Sequence, residues 1–166
     1  MYAVNWENLR DVTEKCMGDS PFMRHSLYAL HFLVENTHIP IEIGDVYTTT
    51  DPESLSSGLF QKLVGKDMTY YLGIVDLREG LKAIAKGFAG DDFEDDWCFI
   101  SDASGELINR INGEYVITEA KEGKEISLEP QLFLEEEEAR SRISFKEICH
   151  IPISLGGCEA EIIFII

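Results

Sequence analysis

The clearest pattern of hydrophobic and polar positions lies within residues 96–115, DWCFISDASGELINRINGEY. On a helix, at about 100° per residue, the large apolar residues of this segment share one face and its polar residues share the opposite face. The pattern therefore predicts a helix that buries one face in a core. The apolar positions are Trp97, Ile100, Leu107, Ile108, Ile111 and Tyr115, and the polar positions are Asp102, Glu106, Asn109 and Gly113.

Helical and extended patterns alternate along the first part of the chain. Helical spacing within residues 2–15 predicts an N-terminal helix. Ser20 and Pro21 form a start signal for a second helix, with Ser at the N-cap and Pro at the first helical position. Alternation of apolar and polar residues within residues 39–47 then predicts a strand.

A hairpin and a third helix follow. Residues 58–64 and 68–75 have the pattern of two strands joined by a short turn, which predicts a β-hairpin. The next segment is amphipathic and predicts a helix that begins at Leu77. The buried stripe of this helix is expected to consist of Leu77, Leu81, Ile84, Ala85 and Phe88.

The second part of the chain repeats the order of the first. The long helix predicted within residues 96–115 is followed by three strand-like segments, residues 126–134, 143–154 and 158–166. A helix with three strands therefore occurs twice. This order indicates an internal duplication with a period of very roughly 80 residues, although the residues themselves have diverged.

Length and charge limit the classes of protein and partner. The 166 residues suit a single domain, 1–166, with an N-terminal extension at 1–19, a first half at 20–90 and a second half at 91–166. The net charge of −17 argues against nucleic acid, because binding phosphates requires a Lys and Arg surface. The charge also disfavours an anionic membrane surface. The sequence shows no signal peptide and no membrane-spanning run, so we expect a cytoplasmic protein.

The four cysteines indicate the same compartment. Cys16, Cys98, Cys149 and Cys158 lack Cys-x-x-Cys spacing, and we interpret them as reduced thiols of a cytosolic protein. A metal site formed by Cys149, His150 and Cys158 is an alternative, but these residues lack a second close pair of ligands. We therefore predict that this chain holds no metal.

Three further features have open interpretations. The four acids at residues 135–138 are expected in a solvated loop or hairpin tip, with selection of a basic partner as the alternative. The terminal segment EIIFII is apolar on both faces, so we expect it inside a sheet or paired with another chain. Arg110 lies beside the polar face of the long helix, where it could contact a partner or pair with Glu106 or Glu114.

The polar face of the long helix carries the candidate functional residues. Glu106 and Asn109, at positions i and i+3, are expected side by side on the helix surface. Gly105 and Gly113 flank this pair, although a glycine inside a helix costs about 1 kcal/mol relative to alanine. Two small residues at this surface would let another molecule approach closely. Spacing alone leaves an ordinary solvated face as the alternative, because exposed Glu is common.

The residues around this pair resemble a known signature. In DASGELINRING, Asp102 is followed after three residues by Glu106 and after two more by Asn109. The string is similar to the signature of the CheC/CheX/FliY family of chemotaxis phosphatases, and Pro130 matches a proline farther along the family pattern. The resemblance implies the CheC-like fold, which is an α+β fold. It contains pseudo-duplicated units of a helix and three strands, forming a mostly antiparallel sheet with helices packed on it.

The resemblance also implies an activity, which is hydrolysis of the aspartyl phosphate on a CheY-like receiver domain. Asn109 would orient the attacking water, because a carboxamide oxygen accepts a hydrogen bond from water. Glu106 would pair with the Lys of the receiver's active site. Asp102, Gly105 and Gly113 are candidate partner contacts, although Asp102 equally suits a role in favouring the first helical turns. Mg²⁺ would be held by the receiver's carboxylates, so we expect no cofactor in this chain.

The first half of the chain lacks an equivalent pair. Its helical segment, PFMRHSLYALHFLVEN, contains no Glu-x-x-Asn, since Glu35 and Asn36 are adjacent. This difference predicts a single site and favours the CheX type over the CheC type. The CheX type in turn implies a homodimer joined through sheet edges. The alternative function is a non-catalytic module that binds a receiver or serves as a docking part, like related domains of the flagellar switch.

Overall fold

The fold is that of a computed structural model, which describes residues 1–75 and 79–166. Within these residues, five helices pack on one sheet of nine strands. The helices are α1 Leu9–Met17, α2 Met23–Thr37, α3 Glu79–Ala89, α4 Trp97–Lys121 and α5 Glu136–Arg142. The strands are β1 Tyr2–Val4, β2 Ile41–Ile43, β3 Tyr47–Thr49, β4 Gly58–Gly65, β5 Thr69–Val75, β6 Ile126–Leu128, β7 Leu132–Leu134, β8 Ile148–Leu155 and β9 Cys158–Ile165.

The sheet interlocks the two halves of the chain. Its order is β1-β2-β8-β9-β5-β4-β6, with β3 also paired to β8 and β7 also paired to β4, and the strand pairs are antiparallel. The short strands β2 and β3 thus add to the second half, while β6 and β7 add to the first. This arrangement confirms the predicted α+β fold. The terminal strand β9 lies inside the sheet, as predicted, and pairs on both edges with β5 and β8.

Each face of the sheet contributes to a separate core. The larger core lies under α1 to α4 and includes Leu33, Leu72 and Phe164. The smaller core lies on the opposite face under α5 and includes Ala139 and Ile163. Side chains alternate between the two faces along each strand, which explains why the central strands are apolar on both sides. Burying a large aliphatic side chain contributes about 1.5–3 kcal/mol, so both cores hold the helices firmly on the sheet.

The N-terminal segment differs from its prediction. A helix was expected within residues 2–15, but the structure has β1 at Tyr2–Val4 and α1 only from Leu9 to Met17. β1 adds to the edge of the sheet, where Val4 pairs with Ile41. The side chain of Asn5 then accepts hydrogen bonds from two backbone amides in the turn before α1. The helix prediction is therefore wrong for the first residues, whose conformation depends on pairing with a distant strand.

Three predicted strands are shorter or interrupted. The strand expected at 39–47 is divided into β2 and β3 at Gly44, whose amide donates to the Pro152 carbonyl at 2.8 Å. The segment at 126–134 is divided at Pro130, because proline has no amide hydrogen for a sheet ladder. The strand expected at 143–154 begins only at Ile148. In each case the remaining residues of the predicted strand lie outside the regular strands.

The acidic run at residues 135–138 is not a loop or hairpin tip, because α5 begins within it at Glu136. Acidic side chains in the first helical turn and two arginines in the last turn both complement the helix dipole. Pairs at i and i+4 join Glu136 to Arg140 at 2.9 Å and Glu138 to Arg142 at 3.0 Å. Ala139 is fully buried against the smaller core. The prediction treated the charges as solvated and overlooked this helical spacing.

The remaining helices agree with the sequence in position but differ at their ends. α2 begins at Met23, just after the Ser20 and Pro21 start signal. α4 begins directly after Asp96, and it runs on to Lys121 beyond the predicted end at residue 115. Within the described residues, no helix is both long and apolar enough to cross a membrane. In α3, Leu81, Ile84 and Ala85 are buried and Phe88 is partly buried, whereas the predicted member Leu77 lies outside the described residues.

Candidate functional site

α4 presents the predicted polar stripe to solvent. The side chain of Asp96 caps the helix by accepting a hydrogen bond from the amide of Phe99 at 3.1 Å. Buried apolar side chains then fix the rotation of α4 on the sheet. Ile100, Leu107, Ile108 and Ile111 are buried, while Asp102, Glu106 and Asn109 are exposed and Gly113 is partly buried. The structure thus places the candidate residues on one outward face of one helix.

Glu106 is paired within its own helix. Its Oε1 accepts a hydrogen bond from Nε of Arg110 at 2.8 Å, and both side chains are about half exposed, at 50% and 53%. The guanidinium of Arg110 also lies over the ring of Phe88, 5.4 Å from its centroid. Of the alternatives that the sequence left open for Arg110, the structure has the pair with Glu106. Because both groups face water, this pair is weak and can exchange partners.

Asn109 is held by a side chain from the sheet. Its Oδ1 accepts a hydrogen bond from Nε2 of Gln61 at 2.9 Å. Gln61 belongs to β4 and is only 1% exposed, so the contact joins an exposed carboxamide to a buried one. The same Nε2 also donates to the backbone carbonyl of Glu129 at 2.9 Å. Glu129 lies in the turn between β6 and β7, beside Pro130 of the sequence signature.

The Glu129 carbonyl determines how both carboxamides are oriented. A backbone carbonyl only accepts hydrogen bonds, so the group of Gln61 beside it is the NH₂ group. One hydrogen of this group binds Glu129, and the other binds Asn109. Oδ1 of Asn109 therefore faces Gln61, and its NH₂ is turned away. One lone pair of Oδ1 and both hydrogens of the NH₂ remain for another molecule.

The hydrogen-bonded chain continues inward to a histidine. Asn112, fully buried, donates from Nδ2 to Oε1 of Gln61 at 2.7 Å. Its Oδ1 lies 2.8 Å from Nε2 of His25, which therefore carries the proton and donates. Burial lowers the pKa of His25 from 6.5 to about 4, against the opposing effect of this hydrogen bond. The ring is thus neutral at neutral pH, and it stacks on Tyr115 at 4.0 Å.

Sequence reasoning missed Gln61, Asn112 and His25 as parts of the site. A signal for Gln61 was present, because it occupies a core position of β4 between Leu59 and Leu63. Burying a carboxamide is costly unless it is hydrogen-bonded, so a Gln in this position indicates buried polar partners. The sequence could not identify these partners, because Asn109 lies 48 residues farther along the chain.

The three candidate contact residues differ in their surroundings. Gly113 is open, since apart from its chain neighbours and the nearby backbone of α4 no atom of the described residues lies within 4 Å of the position of an added Cβ. Gly105 is buried, and a Cβ there would lie 3.0 Å from Cγ of Gln131, so this glycine makes room for the chain's own turn. Asp102 is exposed in the second turn of α4, beyond the first turn where the helix dipole acts. Partner contact by these residues stays a prediction.

Cys149 and His150, two of the three residues considered above as metal ligands, point to opposite faces of the sheet. Cys149 points into the larger core, and burial raises the pKa of its thiol to about 11. The neighbouring His150 points to the opposite face, with Nδ1 2.9 Å from Oε2 of Glu161 and Nε2 3.2 Å from Oγ of Ser54. Across residues 1–75 and 79–166, no three His, Cys, Asp or Glu side chains converge to hold a metal ion.

No sequence-family model matches this chain, and no curated protein matches it. Its similarity to known proteins is seen in solved structures. A CheX chemotaxis protein from Desulfovibrio desulfuricans has a TM-score of 0.68 and 15% identity, covering 86% of this chain and 96% of that chain. A CheC-like superfamily protein from Shewanella sp. PV-4 has a TM-score of 0.66 and 17% identity, covering 85% and 93% respectively.

A third similar structure contains a partner. It is the CheX-CheY-BeF₃-Mg²⁺ complex from Borrelia burgdorferi, with a TM-score of 0.65 and 19% identity, covering 85% of this chain and 94% of that chain. At identities this low, similarity establishes the fold alone. The chain therefore has a fold of the CheX type, similar to that of CheC-like proteins, which confirms the fold expected from the resemblance at residues 102–109.

Proposed function

We propose that this chain is a phosphatase that hydrolyses the aspartyl phosphate of a CheY-like receiver domain. The observation that carries the proposal is the presentation of Glu106 and Asn109, both exposed on one face of α4 and three positions apart. The orientation of Asn109 by Gln61 adds support, because catalysis by positioning requires a preoriented group. The fold shared with a CheX structure solved with CheY, BeF₃ and Mg²⁺ supports a receiver domain as the partner.

The reaction needs little covalent chemistry from this chain. An aspartyl phosphate is already activated, so the bond from phosphorus to the receiver's carboxylate breaks as water forms a new bond to phosphorus. Inorganic phosphate and a free carboxylate result, and the proton of the water passes to solvent. The free lone pair of Asn109 Oδ1 accepts from the water, and its NH₂ donates to a phosphoryl oxygen. The receiver's own carboxylates would hold Mg²⁺, which would supply charge neutralisation at the phosphoryl group.

Glu106 sets the depth at which Asn109 enters the receiver. Its carboxylate pairs with the Lys of the receiver's active site and so places Asn109, less than one helical turn away, beside the phosphoryl group. Arg110 binds Oε1 of Glu106 and so competes with the receiver's Lys for this carboxylate. A solvent-exposed ion pair contributes about 0.2–1 kcal/mol, so this exchange of partners costs little.

The test of this proposal is the decay of a phosphorylated receiver in Mg²⁺, with and without this protein. We expect wild type to accelerate the decay and Asn109→Ala to lose about 10²-fold of the rate, because one transition-state contact is gone. Binding of Asn109→Ala to the receiver carrying BeF₃ should stay near the wild-type value. Glu114→Ala is the matched control, since it removes an exposed side chain of α4 outside the site. An Asn109→Ala protein as active as wild type would refute the water-positioning role.

Glu106→Ala separates docking from chemistry. We expect it to weaken both binding of the BeF₃-loaded receiver and turnover, because the Lys contact acts before and during hydrolysis. Receivers that bind wild type without faster dephosphorylation, across a panel of receiver domains, would instead support the docking module. Loss of turnover with unchanged binding would contradict the role assigned to Glu106.

The location of the protein and its oligomeric state belong to the same proposal. We place the chain in the cytoplasm, where receiver domains of this type receive their phosphoryl groups. We also propose a homodimer joined through sheet edges. Both edges of β9 are paired within the chain, so the contact uses an outer strand such as β1 or β6. Light scattering coupled to gel filtration tests the dimer, and a monomer at all concentrations would exclude it.

A further inference from the structure

We propose that Gln61 is a positioning residue for Asn109, holding its carboxamide in the one orientation that suits hydrolysis. This inference rests on the proposed phosphatase function, and it adds a residue from outside the helix that carries the site. Gln61 itself does not touch the phosphoryl group, because it is 1% exposed beneath α4. Its effect on the reaction passes through the contact of its Nε2 with Oδ1 of Asn109.

The position of Gln61 has no evident use in packing alone. Leu59 and Leu63, the residues two positions away on either side, are apolar members of the same core. The backbone of Gln61 pairs with Leu72 in the sheet, so the strand itself does not need the carboxamide. A Leu or Met in its place would continue the apolar face without buried polar atoms. The polar side chain therefore serves the groups that it contacts.

Three separate parts of the fold hold Gln61 in one orientation. The carbonyl of Glu129 accepts from its NH₂, and Nδ2 of Asn112 donates to its oxygen. Asn112 is held in turn by His25 of α2. Reversing the Gln61 carboxamide would place its oxygen against the Glu129 carbonyl and its NH₂ against the NH₂ of Asn112. Because both contacts would be lost, Gln61 remains a fixed donor toward Asn109.

A fixed donor selects one of the two orientations of Asn109. With Oδ1 toward Gln61, the NH₂ of Asn109 is turned to the partner and one lone pair of Oδ1 stays free. Without Gln61, an exposed carboxamide on a helix rotates freely and spends part of its time reversed. Reversal exchanges donor and acceptor at the phosphoryl group. Loss of Gln61 should therefore lower the rate of the chemical step more than the affinity for the receiver.

The first experiment observes Asn109 in the free protein, without any receiver. ¹⁵N relaxation of its side-chain NH₂ should show a restricted group in wild type and a mobile one in Gln61→Met, which keeps the length of the side chain but donates nothing. Gln61→Leu is the second variant, because it continues the apolar face of β4 and also donates nothing to Asn109. Tyr28→Phe is the control, since it removes one hydrogen bond to α4, the 2.9 Å contact with Thr118.

The second experiment measures turnover of the phosphorylated receiver. We expect Gln61→Met to lower kcat by about 10- to 100-fold with KM within about twofold of wild type. Gln61→Leu should lower kcat by a similar factor, because its Asn109 is likewise mobile. In an Asn109→Ala background, Gln61→Met should cause no further loss, because its effect passes through Asn109. Tyr28→Phe should keep the wild-type kcat.

The outcomes distinguish this inference from the proposed function. An unchanged Asn109 NH₂ in Gln61→Met would overturn the positioning role whatever the activity, and so would an equal loss of rate in the Asn109→Ala background. A different result is that wild type accelerates the dephosphorylation of no receiver while the Asn109 NH₂ still becomes mobile in Gln61→Met. That result would refute the proposed phosphatase activity and retain the role of Gln61 in holding Asn109. Circular dichroism of each variant confirms that it is folded, and Gln61→Leu decides the case if Gln61→Met is not.

Discussion

Acid pH should destabilise this protein through His25. The ring is 3% exposed and packs against Tyr115 and Phe164. Burial lowers its pKa from 6.5 to about 4, and the hydrogen bond to Asn112 opposes this shift only in part. Unfolding returns the imidazole to water, where its ordinary pKa applies. Between these two pKa values the unfolded chain binds a proton that the native protein does not.

The pKa shift gives the size and sign of the effect. Each unit of pH between the two pKa values changes the free energy of unfolding by about 1.36 kcal/mol for one such group. The pKa of His25 is depressed in the folded state, so the stability present above pH 6.5 is lost as the pH falls toward 4. Acidification to about pH 4.5 should therefore remove roughly 2–3 kcal/mol.

Urea unfolding followed by circular dichroism, from about pH 7.5 to about pH 4.5, measures this loss. His25→Phe is the comparison, since it keeps an aromatic ring against Tyr115 but has no group that titrates. The His25→Phe substitution leaves Oδ1 of Asn112 without its donor, so this variant is less stable than wild type at neutral pH. The comparison therefore uses the change in the free energy of unfolding with pH, not its absolute value. The difference in the free energy of unfolding between wild type and His25→Phe should shrink by roughly 2–3 kcal/mol over this pH range. Parallel pH curves for the two proteins would refute a buried, neutral His25.

Three substitutions test the surroundings of the site. Arg110→Met should tighten binding of the BeF₃-loaded receiver by up to about fivefold without changing kcat, because a pair of up to about 1 kcal/mol no longer competes for Glu106. Weaker binding would mean that Arg110 itself contacts the receiver. Alanine substitutions at two helix glycines should change the free energy of unfolding, measured in urea, in opposite directions. Gly113→Ala should stabilise by about 0.5–1 kcal/mol, since apart from its chain neighbours and the nearby backbone of α4 no described residue lies within 4 Å of the new Cβ. Gly87→Ala should destabilise by about 1–3 kcal/mol, because its Cβ would lie 2.5 Å from the Thr37 carbonyl oxygen. Equal changes in the two variants would contradict this packing.

The exposed stripe of α4 could be predicted because it depends on local geometry. Once the apolar residues of this segment are buried, the helical repeat alone turns Glu106 and Asn109 outward. The cap at Asp96 is likewise a local contact, three residues long. The pairing of Glu106 with Arg110 also lies within one helical turn, although several partners for Arg110 had the same spacing. Local spacing identifies the candidates but does not select among equivalent ones.

Apart from α5, whose pairs at i and i+4 are local, the main errors and omissions involve contacts between distant parts of the chain. Three residues of β1 are too few to show a period, and they are extended because Val4 pairs with Ile41. Gln61 lies 51 residues before Asn112, and Asn112 lies 87 residues after His25. Each of these polar residues is individually ordinary in sequence. Their connection depends on β4, α4 and α2 meeting at one point, which no local pattern encodes.

The two proposed functional side chains therefore depend on the fold to different degrees. Glu106 needs only α4, since its neighbour Arg110 is part of the same helix. Asn109 needs α4 and β4 together, because its orientation comes from Gln61 and, through it, from the turn at Glu129. Docking and water positioning thus rest on separate structural supports. Loosening the contact between α4 and the sheet should disorder the carboxamide while the carboxylate stays exposed, so under the proposed function such a protein should still bind a receiver after turnover is lost.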